Sequence, residues 1–266
     1  MDLDNTADAP MTLALKGNTS QASDPTPDSP VDVNVVSGDN TIKISDKGVL
    51  PSGYTQVDYI QSSGTQYINT GYKLNNNTNK IEIVSQMVNT SNSYNCLFGY
   101  EVGSTNRFFA RYEQNGTRLY AYTPSSKSYS TTPTNVNKFL FDITNQKLYI
   151  NETEESQPTT INTSGGNLYL FGLNYNGTYA TNNASSMKVY SFKVYENDII
   201  VKDFIPCIRN SDSAVGLYDR VSKTFFANAG TGTFTYGEIV ENSYTQEINL
   251  GNIELCKIST YQDYIY

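Results

Sequence analysis

The stretch MKVYSFKVYENDIIVKDFIP, residues 187–206, decides the fold class. β-branched and aromatic residues recur on both sides of Asn197 and Asp198, which is typical of paired β-strands. Asn and Asp tolerate the positive φ that tight hairpin turns require. The stretch therefore predicts a β-hairpin with strands at 187–195 and 199–205.

The same pattern continues through most of the chain, as short apolar runs separated by Asn, Gly, Ser and Thr. Only 17 % of the residues are charged, and apolar residues nowhere recur at helical spacing over ten or more positions. We therefore predict an all-β protein of two stacked sheets, and 266 residues suffice to bury a sizeable core. The further predicted strands are 67–70, 80–88, 96–100, 107–112, 118–122, 138–143, 147–151 and 168–171.

Both ends of the chain differ from this central block. Residues 1–48 contain a Pro-rich run at 24–30, which predicts an extended or β segment. Alternating runs at 11–16 and 31–45 predict short strands, and the cluster Ser-Gly-Asp-Asn at 37–40 predicts a hairpin turn.

The C-terminal segment, 238–266, carries two more alternating runs at 244–250 and 253–258. We expect this segment to pair with 31–45. Both ends would then form a small flanking β-unit, with the central block, 49–237, inserted between them.

Charge and composition argue against several classes of function. The net charge is −8, with 18 Lys and Arg against 26 Asp and Glu, so no basic surface for nucleic acid is expected. There is no apolar run near 18 residues, and Met1–Pro10 is acidic where a secretory signal is basic. We therefore expect neither membrane insertion nor an export signal.

The sequence contains no His, which excludes His-dependent nucleophilic catalysis and His-ligated zinc. Three cysteines, Cys96, Cys207 and Cys256, are odd in number and far apart. This spacing fits neither a disulfide framework nor a metal site, so we predict that they are small buried hydrophobic residues.

Specific strings in the central block resemble the concanavalin A-like, laminin-G-type jelly-roll domain, which is common in phage tail proteins and in surface proteins of gut bacteria. The resemblance covers about 50–237 and implies a jelly-roll β-sandwich for 49–237. The strings are LPSGYTQVDYIQSSGTQYINTGY (50–72), NLYLFGLN (167–174), MKVYSFKVYENDIIVKDFIP (187–206) and VGLYDRVSKTFFANAGTGTFTYG (215–237).

The flanks resemble a second kind of protein, the minor structural tail proteins of phages and prophages of Gram-positive gut bacteria. In such proteins these flanks continue further, which implies a piece of a longer chain or a compact variant. The matching strings are LKGNTSQ (15–21), PTPDSPVDVNVVSGDNTIKIS (25–45) and IELCKISTYQDYIY (253–266).

The fold hosts both glucanases and binding modules, so activity depends on the site. Retaining glucanases of this fold carry Glu-x-Asp-x-x-Glu on one strand, and no such string is present. The acidic cluster at 152–155 predicts a solvated turn, and Glu82 has no acidic residue two or four places on. We therefore expect no catalytic residues and no enzymatic activity.

We also expect no metal and no cofactor. Glu101, Asp212 and Asp219 are candidates for calcium because related domains bind calcium through oxygens, but their spacing fits no compact loop.

Aromatic and amide side chains provide the best candidates for a ligand site. Tyr rings stack on sugar rings, and Asn both donates and accepts hydrogen bonds. The alternative is that each Tyr is simply a half-buried strand residue. The candidate ligand-binding residues are Arg111, Tyr112, Tyr120, Tyr122, Asn174 and Tyr175.

These features predict a non-enzymatic, tail-associated structural and adhesion protein of the virion, with a lectin-like jelly roll. The expected partners are a host cell-surface glycan or protein and other tail proteins. The sequence does not decide whether the chain forms a homo-oligomer, and it contains no coiled-coil heptad that would support one. The alternative is an extracellular bacterial adhesin or polysaccharide-binding module of the same fold, and a glycoside hydrolase is the third hypothesis.

Overall fold

The computed structural model describes residues 39–45, 50–156, 165–240 and 245–252. Strands dominate these ranges, and their helical part is a single 3₁₀ turn at Thr181–Asn183. No helical segment in the described part of the chain has the length and hydropathy of a membrane span. The all-β prediction is confirmed.

The strands are numbered in chain order. They are β1 (Asp39–Ser45), β2 (Tyr54–Gln56), β3 (Ile60–Gln61), β4 (Ile68–Lys73), β5 (Thr78–Met87), β6 (Tyr94–Glu101), β7 (Arg107–Glu113), β8 (Arg118–Tyr122), β9 (Ser126–Ser130), β10 (Asn137–Asp142), β11 (Lys147–Ile150), β12 (Thr153–Ser156), β13 (Asn167–Leu170), β14 (Asn174–Tyr175), β15 (Thr178–Tyr179), β16 (Met187–Glu196), β17 (Ile199–Arg209), β18 (Ala214–Asp219), β19 (Thr224–Ala227), β20 (Thr235–Tyr236) and β21 (Thr245–Asn252).

The chain divides into two units. One spans residues 50–241, and the other is formed by segments from both ends of the chain. In the second unit, β1 and β21 pair antiparallel, with Ile42 opposite Ile248. The expected β-unit of both ends is therefore present. Asp39 and Asn40, predicted in a turn, instead belong to β1, where Asp39 lies opposite Asn252 and the register shifts before Thr41. The predicted runs at 11–16 and 253–258 lie outside the described residues.

Two sheets form the unit spanning residues 50–241. The larger sheet has the order β12-β11-β10-β5-β16-β17-β18-β19, with β2 beside β17 and β3 joining β16 to β20. The smaller sheet has the order β15-β14-β6-β7-β8-β9, and β13 joins β6 to β4. Pairing is antiparallel except between β14 and β6. Because neighbours such as β5 and β16 are distant in sequence, the connections cross between sheets, as in a jelly-roll sandwich.

Aromatic side chains fill the space between the sheets. Phe98 and Phe108 from the smaller sheet contact Phe141 from the larger one, edge to face, with ring centres 5.4 and 5.6 Å apart. All three rings are fully buried. Edge-to-face contacts add stability beyond the burial of apolar area, so this cluster holds the two layers together.

The predicted hairpin is confirmed, since Asn197 and Asp198 adopt φ of 48° and 67° between β16 and β17. The prediction of a solvated turn for the acidic cluster at 152–155 is only partly confirmed. Glu152 lies in a turn with φ 71°, whereas Glu154 and Glu155 belong to the exposed strand β12. That strand contains no apolar residue, so its sequence carries no hydrophobic pattern.

Candidate binding face

Strand alternation divides the side chains of β7 between two environments. Phe108, Ala110 and Tyr112 pack into the core between the sheets. Phe109 and Arg111 therefore lie on the opposite, outer side of the smaller sheet. Strand β8 follows the same rule, since Leu119 and Ala121 belong to that core.

This outer side carries a cluster of rings around one guanidinium group. We call it the Arg111 face, and it consists of Tyr94, Phe109, Arg111, Tyr120 and Tyr122.

The rings of the Arg111 face are stacked in a row. Phe109 and Tyr122 have ring centres 4.5 Å apart and planes inclined by 18°. Tyr120 continues the row, with its ring centre 6.2 Å from that of Tyr122. Phe109 is buried against Cys96 and Leu173, whereas the two tyrosines are partly exposed. A fixed base therefore supports two accessible rings.

Arg111 lies between two of these rings. Its guanidinium carbon is 3.7 Å from the ring centre of Tyr94 and 4.6 Å from that of Tyr122. Its Nη2 donates to Tyr122 Oη at 3.1 Å, and Nη1 donates to Asn183 Oδ1 at 3.5 Å. Partial burial raises the pKa of Tyr122, and the neighbouring Arg111 charge opposes that rise. The tyrosine therefore stays a neutral hydroxyl at physiological pH.

Three predicted ligand-binding residues, Arg111, Tyr120 and Tyr122, thus come together. Tyr112 does not join them, because alternation turns it toward the core, where it is 2 % exposed. Its hydroxyl is 2.8 Å from Thr131 Oγ1, and burial raises its pKa to about 12. Tyr112 therefore packs in the sandwich and contributes nothing to the outer surface.

The other two predicted residues lie on β14. Asn174 is buried, donates Nδ2 to the carbonyl of Asn167 and accepts the N–H of Gly177, each at 2.8 Å. It therefore shapes the turn between β14 and β15 and offers no accessible polar group. Tyr175 is 49 % exposed and lies opposite Glu101 on β6, outside the stacked row.

Two residues of the site escaped the sequence reasoning. Tyr94 precedes the predicted strand at 96–100, but β6 begins at Tyr94 itself. Asn183 lies in the 3₁₀ turn, 72 residues from Arg111, and no sequence signal places it there. Of these two residues, only Tyr94 could have been predicted from the sequence, by starting β6 two residues earlier.

Comparisons with known proteins give little beyond this geometry. No protein-family model matches the chain, and no curated protein matches it. Among solved structures, the chain is similar to the native heptameric SAP-like pentraxin from Limulus polyphemus, at 9 % identity and a TM-score of 0.36. The match covers 77 % of this chain and 97 % of the pentraxin chain. The sheet order described above, rather than this likeness, defines the fold.

Several carboxylates considered for calcium or catalysis contact a cation. Asp212 pairs with Arg209 at 2.6 Å. Glu82 lies 3.1 Å from Lys138 and 3.7 Å from Lys193. Across the ranges that the structure describes, no group of three or more Cys, Asp or Glu is placed to hold a metal ion.

Asp219, another calcium candidate, is fully buried and held by several donors. It accepts hydrogen bonds from Lys202 Nζ at 2.8 Å, Ser222 Oγ at 2.6 Å and the backbone N–H of Asp203 at 3.0 Å. Burial alone would raise its pKa, but these donors outweigh burial and hold the pKa below its ordinary value. Asp219 is therefore a structural anion with its oxygens occupied.

A shallow depression of about 160 Å³ lies on the outer side of the larger sheet. It is lined by Lys138, Leu140, Tyr149 and Glu152. Lys138 is engaged with Glu82 there, and the lining holds a single carboxylate. A glycosidase requires two carboxyl groups that face each other, so this depression does not resemble a hydrolytic site.

Proposed function

We propose that the chain is a non-enzymatic glycan-binding module and that the Arg111 face is its binding site. The observation that carries the proposal is the position of the Arg111 guanidinium between the rings of Tyr94 and Tyr122. Aromatic faces contact the apolar side of a sugar ring, and the guanidinium and tyrosine hydroxyls bond its oxygens. Tyr and Arg are also the residues that most often dominate binding energy.

The outer position of these groups supports a binding role over a purely structural one. The core between the sheets already contains its own aromatic cluster around Phe98 and Phe141. Tyr120 and Tyr122 instead keep part of their rings in solvent, on a rigid pair of strands. A preformed surface of this kind binds a ligand without a large ordering cost.

The spacing of the acidic residues supports the non-enzymatic assignment. Glu101 and Glu113 both approach the arginines of this sheet, but Glu101 lies opposite Arg107, six residues along β7 from Glu113. At the usual rise per residue they are about 20 Å apart. Glycosidases hold their two carboxyl groups roughly 5 to 10 Å apart, so this pair does not suit hydrolysis.

We further propose that the module is part of a phage tail and contacts a glycan of the host surface. The resemblance of the flanking strings 25–45 and 253–266 to minor structural tail proteins supports this context. Mass spectrometry of purified virions tests it, because the chain should be present in stoichiometric amounts. Its absence from virions, together with recovery on bacterial cell surfaces, would favour the bacterial adhesin.

Binding by the full chain to an array of bacterial wall polysaccharides and oligosaccharides tests the glycan proposal. We expect retention of a subset of glycans, and loss of that retention when Tyr120 and Tyr122 are both replaced by Ala. Tyr149→Ala, on the outer side of the larger sheet, is the matched control and should bind as the parent does. Binding that survives the double replacement would place the site elsewhere, and no binding to any preparation would contradict the proposal.

A further inference from the structure

We propose that the Arg111 face selects glycans that carry a negative charge, as carboxylate or phosphate, and that Arg111 binds that charge. The inference rests on the proposed glycan-binding function and specifies its ligand class. It follows from the unused hydrogen-bonding capacity of Arg111, its incomplete neutralisation and the orientation that the stacked rings impose.

Arg111 uses little of its hydrogen-bonding capacity. A guanidinium has five N–H donors. Here Tyr122 Oη accepts at 3.1 Å, Asn183 Oδ1 accepts at the long distance of 3.5 Å, and the buried Nε has no hydrogen-bond partner. Arg209 shows the contrast, since its Nε and Nη2 both bond to Asp212, at 2.9 and 2.6 Å.

The positive charges of this sheet are also poorly neutralised. Arg111 Nη2 lies 3.8 Å from Glu113, and Arg107 Nη1 lies 3.7 Å from Glu101. Elsewhere on the described surface, the pairs Lys80–Asp198 and Lys147–Glu154 close to 2.6 and 2.8 Å, although Lys193–Glu82 stays at 3.7 Å. A contact near 3.8 Å is too long for a hydrogen bond, so a ligand anion could form the shorter bond that Glu113 does not.

The surrounding rings leave the N–H edge of the Arg111 guanidinium for such a ligand. Stacking uses the faces of the guanidinium plane, whereas the N–H groups point outward from its edge. Tyr94 therefore positions the group without occupying a donor, whereas Tyr122 occupies one N–H of Nη2 through its hydroxyl. The Arg111 side chain is only 13 % exposed, so solvent and salt screen its charge less than they screen a fully solvated arginine.

Glu113 provides an internal test, because it is the acid that competes for Arg111. Its side chain is 44 % exposed and can turn into solvent when an anion arrives. Replacing it with Gln removes the competing charge while leaving Arg111 and the rings in place. The inference therefore predicts a gain of affinity, which a misfolded variant does not produce.

The experiment measures binding of the full chain to three probes by isothermal titration calorimetry. They are an oligogalacturonate, the same oligosaccharide after reduction of its carboxyl groups, and a glycerol phosphate polymer. We expect an anionic probe to bind about tenfold tighter than the neutral one, with affinity falling between about 50 and about 300 mM NaCl. Preference for the first or the third probe distinguishes carboxylate from phosphate.

Three variants complete the test. Arg111→Gln should weaken binding of the anionic probe about tenfold and binding of the neutral probe by a smaller factor, since the neutral probe loses a hydrogen bond but no ion pair. Glu113→Gln should strengthen binding of the anionic probe about threefold. Arg209→Gln removes the same charge from the larger sheet and should change neither. Equal affinity for charged and neutral probes, or no gain with Glu113→Gln, would overturn the inference. Neutral binding that depends on Tyr120 and Tyr122 would still uphold the proposed function, whereas loss of all glycan binding would contradict both.

Discussion

Arg111 and Tyr94 are diagonal neighbours on adjacent strands, with the guanidinium carbon 3.7 Å from the centre of the ring. The register of β6 and β7 causes this contact, because Arg111 lies opposite Cys96, two residues beyond Tyr94. Diagonal pairs of this kind are within reach of long and aromatic side chains. Tyr94 therefore holds the guanidinium from one side, and Tyr122 holds it from the other.

Tyr94→Leu should weaken glycan binding about fivefold, because a cation–π contact of a partly desolvated pair contributes roughly 1 kcal/mol. The reason is loss of position, since the arginine keeps its charge but loses one of its two supporting rings. Calorimetry with a glycan that binds the parent chain measures the effect. Tyr195→Leu, on the larger sheet, is the control, and an equal loss in both variants would show that the contact does not matter.

Two tyrosines that look alike in sequence should behave differently when their hydroxyls are removed. Tyr112→Phe should lower the free energy of unfolding by about 1 kcal/mol, because the buried hydrogen bond to Thr131 is lost, and should leave glycan affinity unchanged. Tyr122→Phe should lower the affinity about threefold, since Arg111 Nη2 loses its acceptor. Urea unfolding and calorimetry separate the two effects, and the reverse outcome would mean that the faces of β7 and β8 are wrongly assigned.

Local sequence patterns were sufficient to predict most of the strands. Asn197 and Asp198 mark their hairpin unambiguously, because few other residues accept positive φ at two successive positions. The long strands β5, β16 and β17 likewise have β-branched and aromatic residues that identify them without a partner.

The two faces of β7 could not be separated from sequence. Phe108 and Phe109 are both buried, one in the main core and one in the small cluster with Cys96 and Leu173, so the usual alternation of apolar and polar residues is lost. Tyr112 therefore looked as accessible as Tyr122. The contact between Arg111 and Asn183 depends on the complete fold, because 72 residues separate them.

Gly99→Ala should destabilise the fold by about 2 to 4 kcal/mol, as backbone strain and steric overlap add. Gly99 adopts φ 145°, and a Cβ there would lie 2.2 Å from Cβ of Phe109, directly under the Arg111 face. Gly103→Ala is the matched control, because its φ is 81° but no atom lies within 4 Å of the added carbon. Gly103→Ala should lower the free energy of unfolding by about 1 kcal/mol. Equal effects of the two variants in a urea titration would mean that no steric overlap exists at Gly99.

Cys96 and Cys207 should resist alkylation in the native protein and react only after unfolding. Both are buried and free, as predicted for two of the three cysteines, whereas Cys256 lies outside the described residues. Burial raises the pKa of the Cys207 thiol to about 12 and that of Cys96 well above its usual value. Because the thiolate is the nucleophile, both should be inert to iodoacetamide at neutral pH. Peptide mapping by mass spectrometry after labelling checks this, and native labelling at either position would contradict their burial.

Asp219→Asn should destabilise the protein by about 3 to 5 kcal/mol at neutral pH, since it leaves the Lys202 charge without its buried partner. The folded protein holds the pKa of Asp219 below its ordinary value, so ionised Asp219 stabilises the fold most above the unfolded pKa near 3.9. That contribution is lost as the pH falls through the lower folded pKa. The difference in unfolding free energy between parent and variant should therefore shrink below about pH 4.

The exposed pair of Asp212 with Arg209 supplies the control for this pH dependence. Asp212→Asn should leave the free energy of unfolding nearly unchanged at any pH, because solvent screens both charges. Urea titrations of the parent and both variants across the acid range measure these differences. A pH-independent effect of Asp219→Asn would show that the carboxylate is not ionised in the fold, and that Lys202 is neutralised by another group.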